Sequence, residues 1–302
     1  MDSGGAMQVV VAGGTGFLGR EVVRQALEAG HHVFPLIRDD REASFDPEAI
    51  HEGRLVPLPF GAPAEVLQAG FGLEPGAWII NAAGLLKEVP RTDPHVIHRM
   101  ISDAVVELAQ DNQAQRLVHF GPLISPTVDA FTHSKVEMEE RVKASGVPWS
   151  VVRSAPLFGI GDALLDEIGA WMSRSPIIPR FLEDVSLQPV HVVDAAQALL
   201  LAPPGLHEIG GEKLLWGELL ALCAQAAGKR LLGPRLSEET VLRLARALGN
   251  HPAFSPLVPF NEAGFRRHRL GYTVTGNTLE RLLGRPPLSL AEYLATLWPY
   301  RA

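Results

Sequence analysis

The chain has 302 residues, 46% hydrophobic and 20% charged, with one cysteine and a formal net charge of −7. This is the composition of an ordinary folded soluble protein with ample material for a core. The lone Cys223 excludes an internal disulfide framework and fits a reducing, cytoplasmic setting.

No apolar run approaches the roughly 20 residues that cross a bilayer, so no transmembrane segment is expected. The first residues, "MDSGGAM", read as a short unstructured start rather than a leader. The charge is uneven. From Lys229 onward there are eleven Lys and Arg against five Asp and Glu, and before it sixteen against twenty-nine. The basic end points to an anionic ligand, a peripheral membrane contact or the chain's own acidic part. Nucleic-acid binding is not expected, because no recognised module or aromatic platform accompanies the arginines.

In chain order, "MQVVVAG" (7–13) is a short β-branched run ending in glycine, a buried strand. "REVVRQALEAGH" (20–31) carries Val22, Val23, Ala26 and Leu27 at helical spacing and stops at Gly30. "HVFPLIR" (32–38) is a second strand despite Pro35. Further strands are expected at 54–60, 77–84, 116–122 and 148–156, with helices at about 63–70, 93–110 and 131–145. Strict alternation predicts an α/β fold: a Rossmann-type doubly wound parallel sheet with a smaller C-terminal lobe. The expected division is 1–158 for the nucleotide-binding domain and 159–302 for the lobe. The chain is expected to return to the first domain at about 186–202, and the lobe to close over the strand ends.

Within "VVVAGGTGFLGREVV", Gly13, Gly16 and Gly19 fall at three-residue steps between a strand and a helix. That context makes them a dinucleotide loop. Gly13 permits the turn, Gly16 lets the backbone approach a pyrophosphate, and Gly19 allows helix and strand to pack closely. Nineteen residues after Gly19, Arg38 offers a planar fork for a 2′-phosphate, so NADP(H) is expected. Asp39 and Asp40 follow it and could instead meet a ribose, which keeps NAD(H) as the alternative.

With this loop, "INAAG" (80–84) and Lys135, the chain resembles the extended and atypical short-chain dehydrogenase/reductases from Val9 to about Ala202. "INAAGLLKE", "HSKVEMEE", "LFGIGD" and "QPVHVVDAAQAL" are most similar to the branch of the accessory NADPH-binding subunit of respiratory complex I and its bacterial relatives. The resemblance implies that Gly13, Thr15, Gly16, Phe17 and Leu18 wrap the pyrophosphate, with Gly19 counted in the same cofactor-binding loop, and that Arg38 meets the adenosine phosphate. It further implies that Ala82, Ala83 and Gly84 pass beneath the ribose, and that Lys135 bonds the nicotinamide ribose. Phe60 stands where many relatives carry an aspartate, which puts the adenine contact there in doubt.

Active members of that family use a tyrosine four residues before the lysine, with a serine or threonine at the end of the fifth strand. Here Phe131 occupies the tyrosine position and Gly121 the serine position, with Ser125 or Thr127 available if the register slips. A phenyl ring cannot shuttle a proton. None of Tyr272, Tyr293 and Tyr300 has a lysine four residues on. Ser154 replaces a proline expected beside the nicotinamide. The remaining acid/base candidates are Lys135 and His133. His119 and His191 read as satisfied core histidines, and no metal-ligand spacing is present. The expectation is a nucleotide-binding protein with a structural, sensing or assembly role and a protein partner at the C-terminal lobe. The alternative is an atypical NADP-dependent reductase or epimerase acting through Lys135 or His133.

Overall fold

The computed structural model describes residues 5–37, 45–83, 94–123, 130–174, 180–231, 233–248 and 262–299. The first eleven elements alternate: β1 (Gln8–Ala12), α1 (Phe17–Glu28), β2 (His32–Ile37), α2 (Pro47–His51), β3 (Leu58–Pro59), α3 (Ala64–Phe71), β4 (Trp78–Asn81), α4 (Pro94–Asp111), β5 (Arg116–Pro122), α5 (Ala130–Lys143) and β6 (Trp149–Ser154). Then follow β7 (Leu157–Phe158), α6 (Ala163–Arg174), β8 (Ser186–Leu187), β9 (Val190–His191), α7 (Val192–Leu201), β10 (Gly205–Ile209), β11 (Leu214–Leu215) and α8 (Trp216–Ala226). Four helices complete the order: α9 (Glu238–Leu248), α10 (Glu262–His268), α11 (Leu279–Leu283) and α12 (Leu290–Thr296).

Among the described residues seven strands make one sheet, ordered β10-β6-β5-β4-β1-β2-β3. The pairings of β1 with β2 and β4, β2 with β3, β4 with β5 and β5 with β6 are parallel. The β1, β4, β5 and β6 runs are apolar because both faces of such a sheet are covered. One expectation shifts for a physical reason. The strand expected over 54–60 is reduced to Leu58–Pro59 plus a single bridge at Val33–Leu55, since Pro57 and Pro59 have no N–H to give a ladder. Pro35 is tolerated in β2 because its missing N–H faces that interrupted side. There Val33 already donates to Arg54 O at 2.8 Å and accepts from Val56 N at 2.9 Å.

The chain divides into two compact units, Met1–Ser154 with Ala195–Glu208, and Ala155–Asp194 with Ile209–Ala302. In the first, Val10, Ile79, Leu117 and Val151 of the sheet pack with Val105 of α4 and Val142 of α5. The second is built on aromatic residues, among them Phe158, Trp171, Phe181, Trp216, Phe265 and Trp298. No helix of the described residues is long and apolar enough to cross a membrane.

The return of the chain to the sheet is tied down by side chains of β5 and β6, where Ser150 Oγ donates to Ala202 O at 3.1 Å and to Pro203 O at 2.8 Å. Arg116, at the start of β5, donates to Leu200 O at 3.0 Å, to Leu199 O at 3.4 Å and to Ala202 O, and its guanidinium lies 5.1 Å from the Trp78 ring centroid. These are the C-terminal carbonyls of α7, which have no partner within the helix. Arg116→Met keeps the packing and removes the donors, so a loss of about 2 kcal/mol is expected in urea unfolding. No change in the unfolding midpoint would refute the capping role.

Candidate functional site

The loop between β1 and α1 has the shape its glycines predict. Gly13 sits at φ +81°, and Gly16 N donates to Gly13 O at 2.8 Å. A Cβ on Gly13 would stand 2.8 Å from Ala83 Cα, and one on Gly19 would stand 2.0 Å from Gly13 O. The end of β4 therefore crosses directly against the loop, where Ala82 N donates to Ala12 O at 3.0 Å. Gly13, Gly16, Gly19, Ala82 and Ala83 are brought together. Thr15 and Phe17 are half-buried beside them and Leu18 is buried. Gly16 caps α1 without a side-chain bond, and the first turn holds no acidic residue. The helix thus presents free N–H groups and its positive end to an anion, and the residues present fit a dinucleotide pyrophosphate. Arg38, Asp39, Asp40, Gly84, Ser125 and Thr127 lie outside the described residues. Gly19→Ala is expected to abolish nucleotide retention, measured by calorimetry, because the added methyl meets backbone that cannot move aside.

The second part of the site is the face of the sheet covered by α4 and α5. Strand alternation and register place Asn81, His119, Gly121 and Arg153 on it, through the pairs Asn81–His119 and Gly121–Arg153. On α5, Lys135 and Glu139 are one turn apart and share a stripe. Glu139 is buried and accepts from Arg153 Nε at 2.9 Å and Nη2 at 2.8 Å, and pairs with Lys143 at 2.6 Å. Burial works against its charge, but the bonds from Arg153 and Lys143 win and hold it below the usual carboxylate range. This ion triad sets the rotation of α5 against β6 and so aims Lys135.

Lys135 is only 5% exposed, with its Nζ 4.0 Å from Met138 Sδ. Burial pushes its ammonium down from the ordinary 10.5 to about 8. One residue earlier, the buried Ser134 hydroxyl bonds His98 Nδ1 of α4 at 2.7 Å. His133 points elsewhere: its side chain is 67% exposed and pairs with Glu137 at 3.4 Å. The helix thus separates the two acid/base candidates, burying one and leaving the other in solvent. Phe131 lies one turn before Lys135, with its side chain outside the described residues. Ser154 is buried at the end of β6.

His119 corrects an expectation. It is fully buried, but neither ring nitrogen has a hydrogen-bond partner among the described residues. Burial first, then the charge of Lys135, hold the imidazole down to about 3, with Glu139 pulling the other way and His98 adding to the depression. Asn81 is a site group that the sequence pattern does not single out. It is buried, its Oδ1 accepts from Ala83 N at 3.1 Å, and its Nδ2 has no partner among the described residues. Only the "INAAG" context hints at it. His191 does fit a satisfied histidine, with Nδ1 accepting from Val193 N at 3.2 Å. Among the described residues no cluster of His, Cys, Asp or Glu could hold a metal.

Residues 9–143 match the NAD dependent epimerase/dehydratase family. Over 99% of this chain and 95% of the other, the structure superposes on the Bordetella bronchiseptica enzyme WbmG in complex with NAD, at a TM-score of 0.69 and 16% identity. The chain has the extended short-chain dehydrogenase/reductase fold.

Among relatives by sequence, the Caulobacter vibrioides ceramide reductase is 26% identical over 237 residues, which cover 76% of this chain and 72% of the reductase. The Dictyostelium discoideum mitochondrial NADH dehydrogenase [ubiquinone] 1 alpha subcomplex subunit 9 is 25% identical over 221 residues, 70% of this chain and 61% of the subunit. The complex I branch is therefore one kind of relative beside another, and the fold does not single it out. The expected NADP(H) is corrected: WbmG holds NAD, and other solved structures of this fold contain NAD or NAD+. NAD(H) is the better-supported nucleotide. A single arginine after β2 is a misleading signal, because a guanidinium in sequence does not reveal whether it or the neighbouring Asp39 and Asp40 faces the ribose.

Proposed function

We propose that the chain is an NAD(H)-dependent oxidoreductase of the reductase or epimerase kind, with Lys135 as its acid/base group. The observation that carries this is the buried Lys135 amine, held near pH 8 on a helix anchored by Glu139 and Arg153. The glycine loop (Gly13, Thr15, Gly16, Phe17, Leu18, Gly19) with Ala82, Ala83 and Gly84 would hold the nucleotide. Bound there, NAD(H) supplies or takes up the hydride. The protein's own part is the proton. In reduction the Lys135 ammonium gives one to the oxygen that gains negative charge as the carbonyl becomes an alcohol. In oxidation the neutral amine takes it back. A lysine in its ordinary range would release a proton too reluctantly near neutrality, whereas one near 8 can do both.

A second reading is carried by Phe131: nucleotide binding without turnover, in a structural, sensing or assembly role with a partner on the second unit. The ceramide reductase and complex I relatives favour these two readings respectively. Purified chain should retain NAD(H) and oxidise bound NADH in the presence of some member of a panel of long-chain ketones, other carbonyls and nucleotide sugars. Retained nucleotide with no oxidation across that panel would sink the enzyme reading and leave the second one.

A further inference from the structure

Among the described residues, three nitrogens on the covered face of the sheet lack partners: Asn81 Nδ2, His119 Nδ1 and His119 Nε2. They belong to residues directly in register on β4 and β5, so their side chains stand side by side. Both residues are fully buried. The Asn81 carbonyl is already committed to Ala83 N, which leaves the NH2 as the end facing inward. The neutral His119 ring carries one N–H and one acceptor nitrogen. Its Nε2 lies 3.8 Å from the place a Cβ on Gly121 would occupy, and among the described residues that place has no other neighbour within 4 Å, which leaves a methyl-sized space facing the ring. Buried polar groups in folded proteins are paired, and an internal water with two or more polar partners is the usual solution where room exists.

We propose that Asn81, His119 and the space beside Gly121 form an internal water site beneath Lys135, and that His119 is a positioning residue acting on the lysine through that water. The water accepts from Asn81 Nδ2 and donates to the acceptor nitrogen of His119. That leaves one lone pair and one proton for the Lys135 side. His119 senses the charge of Lys135, and the lysine sits on the helix that packs on β5. The water supports the ammonium in a place where burial opposes it. The proposal rests on Lys135 as the acid/base group, but its test reads the lysine without turnover.

The chain has five lysines, Lys87, Lys135, Lys143, Lys213 and Lys229. With 13Cε-lysine labelling of the full chain, the Lys135 signal is the one lost in Lys135→Met. Its midpoint should fall by roughly half a unit or more in His119→Phe and return toward wild type in His119→Gln, which keeps a donor and an acceptor. Should His119→Phe fail to fold, Asn81→Leu gives the same readout. An unmoved Lys135 midpoint in a folded variant overturns the proposal. So does a high-resolution crystal structure in which Asn81 and His119 bond each other directly, with no water within hydrogen-bond distance of either. A wild-type Lys135 titrating in the ordinary lysine range would instead sink the acid/base reading, and the crystal structure would still decide the water site.

Discussion

Replacing Lys135 with methionine is expected to lower NADH-dependent carbonyl reduction by about 10²- to 10⁴-fold, the span that a positioned proton donor contributes. Lys135→Arg should be nearly as inactive. It keeps a positive charge for a ribose but holds its proton far above the working pH. Nucleotide retention by Lys135→Arg separates loss of chemistry from loss of binding. In the wild type, reduction needs the ammonium, so its rate should fall as pH rises through about 8, while the reverse oxidation should rise over the same window. A flat profile would refute the assignment. The same lysine makes a stability prediction of defined sign. Its folded pKa lies below its unfolded value, so the unfolded chain binds more protons between about pH 8 and 10.5, and folding stability should increase with pH there. Lys135→Met removes that increase.

The second large effect lies in the other unit. Asp194, in the first turn of α7, is fully buried, and its two oxygens accept from Arg285 Nη2 at 2.7 Å and Leu288 N at 2.6 Å. One carboxylate thus fixes the segment leading into α12, whose Tyr293 and Leu294 enter the aromatic core. Asp194→Ala leaves a guanidinium and an amide without their acceptor. Removing one partner of a buried pair costs about 3–5 kcal/mol, and the partial exposure of Arg285 argues for the lower end. Thermal unfolding should shift down by roughly 6–12 °C. Asp194→Asn, which retains one acceptor, should lose less. Equal melting of wild type and Asp194→Ala would show that the contact is incidental.

Much of this protein is legible along the chain. Helix and strand periods are local, so the alternation from β1 to β6, the β1–glycine–α1 loop and the helix bearing Lys135 all follow from the residue pattern. The absence of a tyrosine four residues before Lys135 is likewise a matter of sequence alone. The identity of the nucleotide is not legible there, because it depends on which of several adjacent side chains faces the ribose.

Other features depend on which distant residues are brought side by side. His133 and Lys135 are two residues apart, yet helix rotation leaves one in solvent and places the other where burial lowers its pKa. Arg116 finds the end of α7 more than eighty residues later. Asn81 and His119 become neighbours through the register of β4 on β5, and only that pairing shows their nitrogens buried together. Sequence determined which groups were available and which was missing. The tertiary structure decided which of them lost their water, and that loss holds the Lys135 ammonium below the ordinary lysine range.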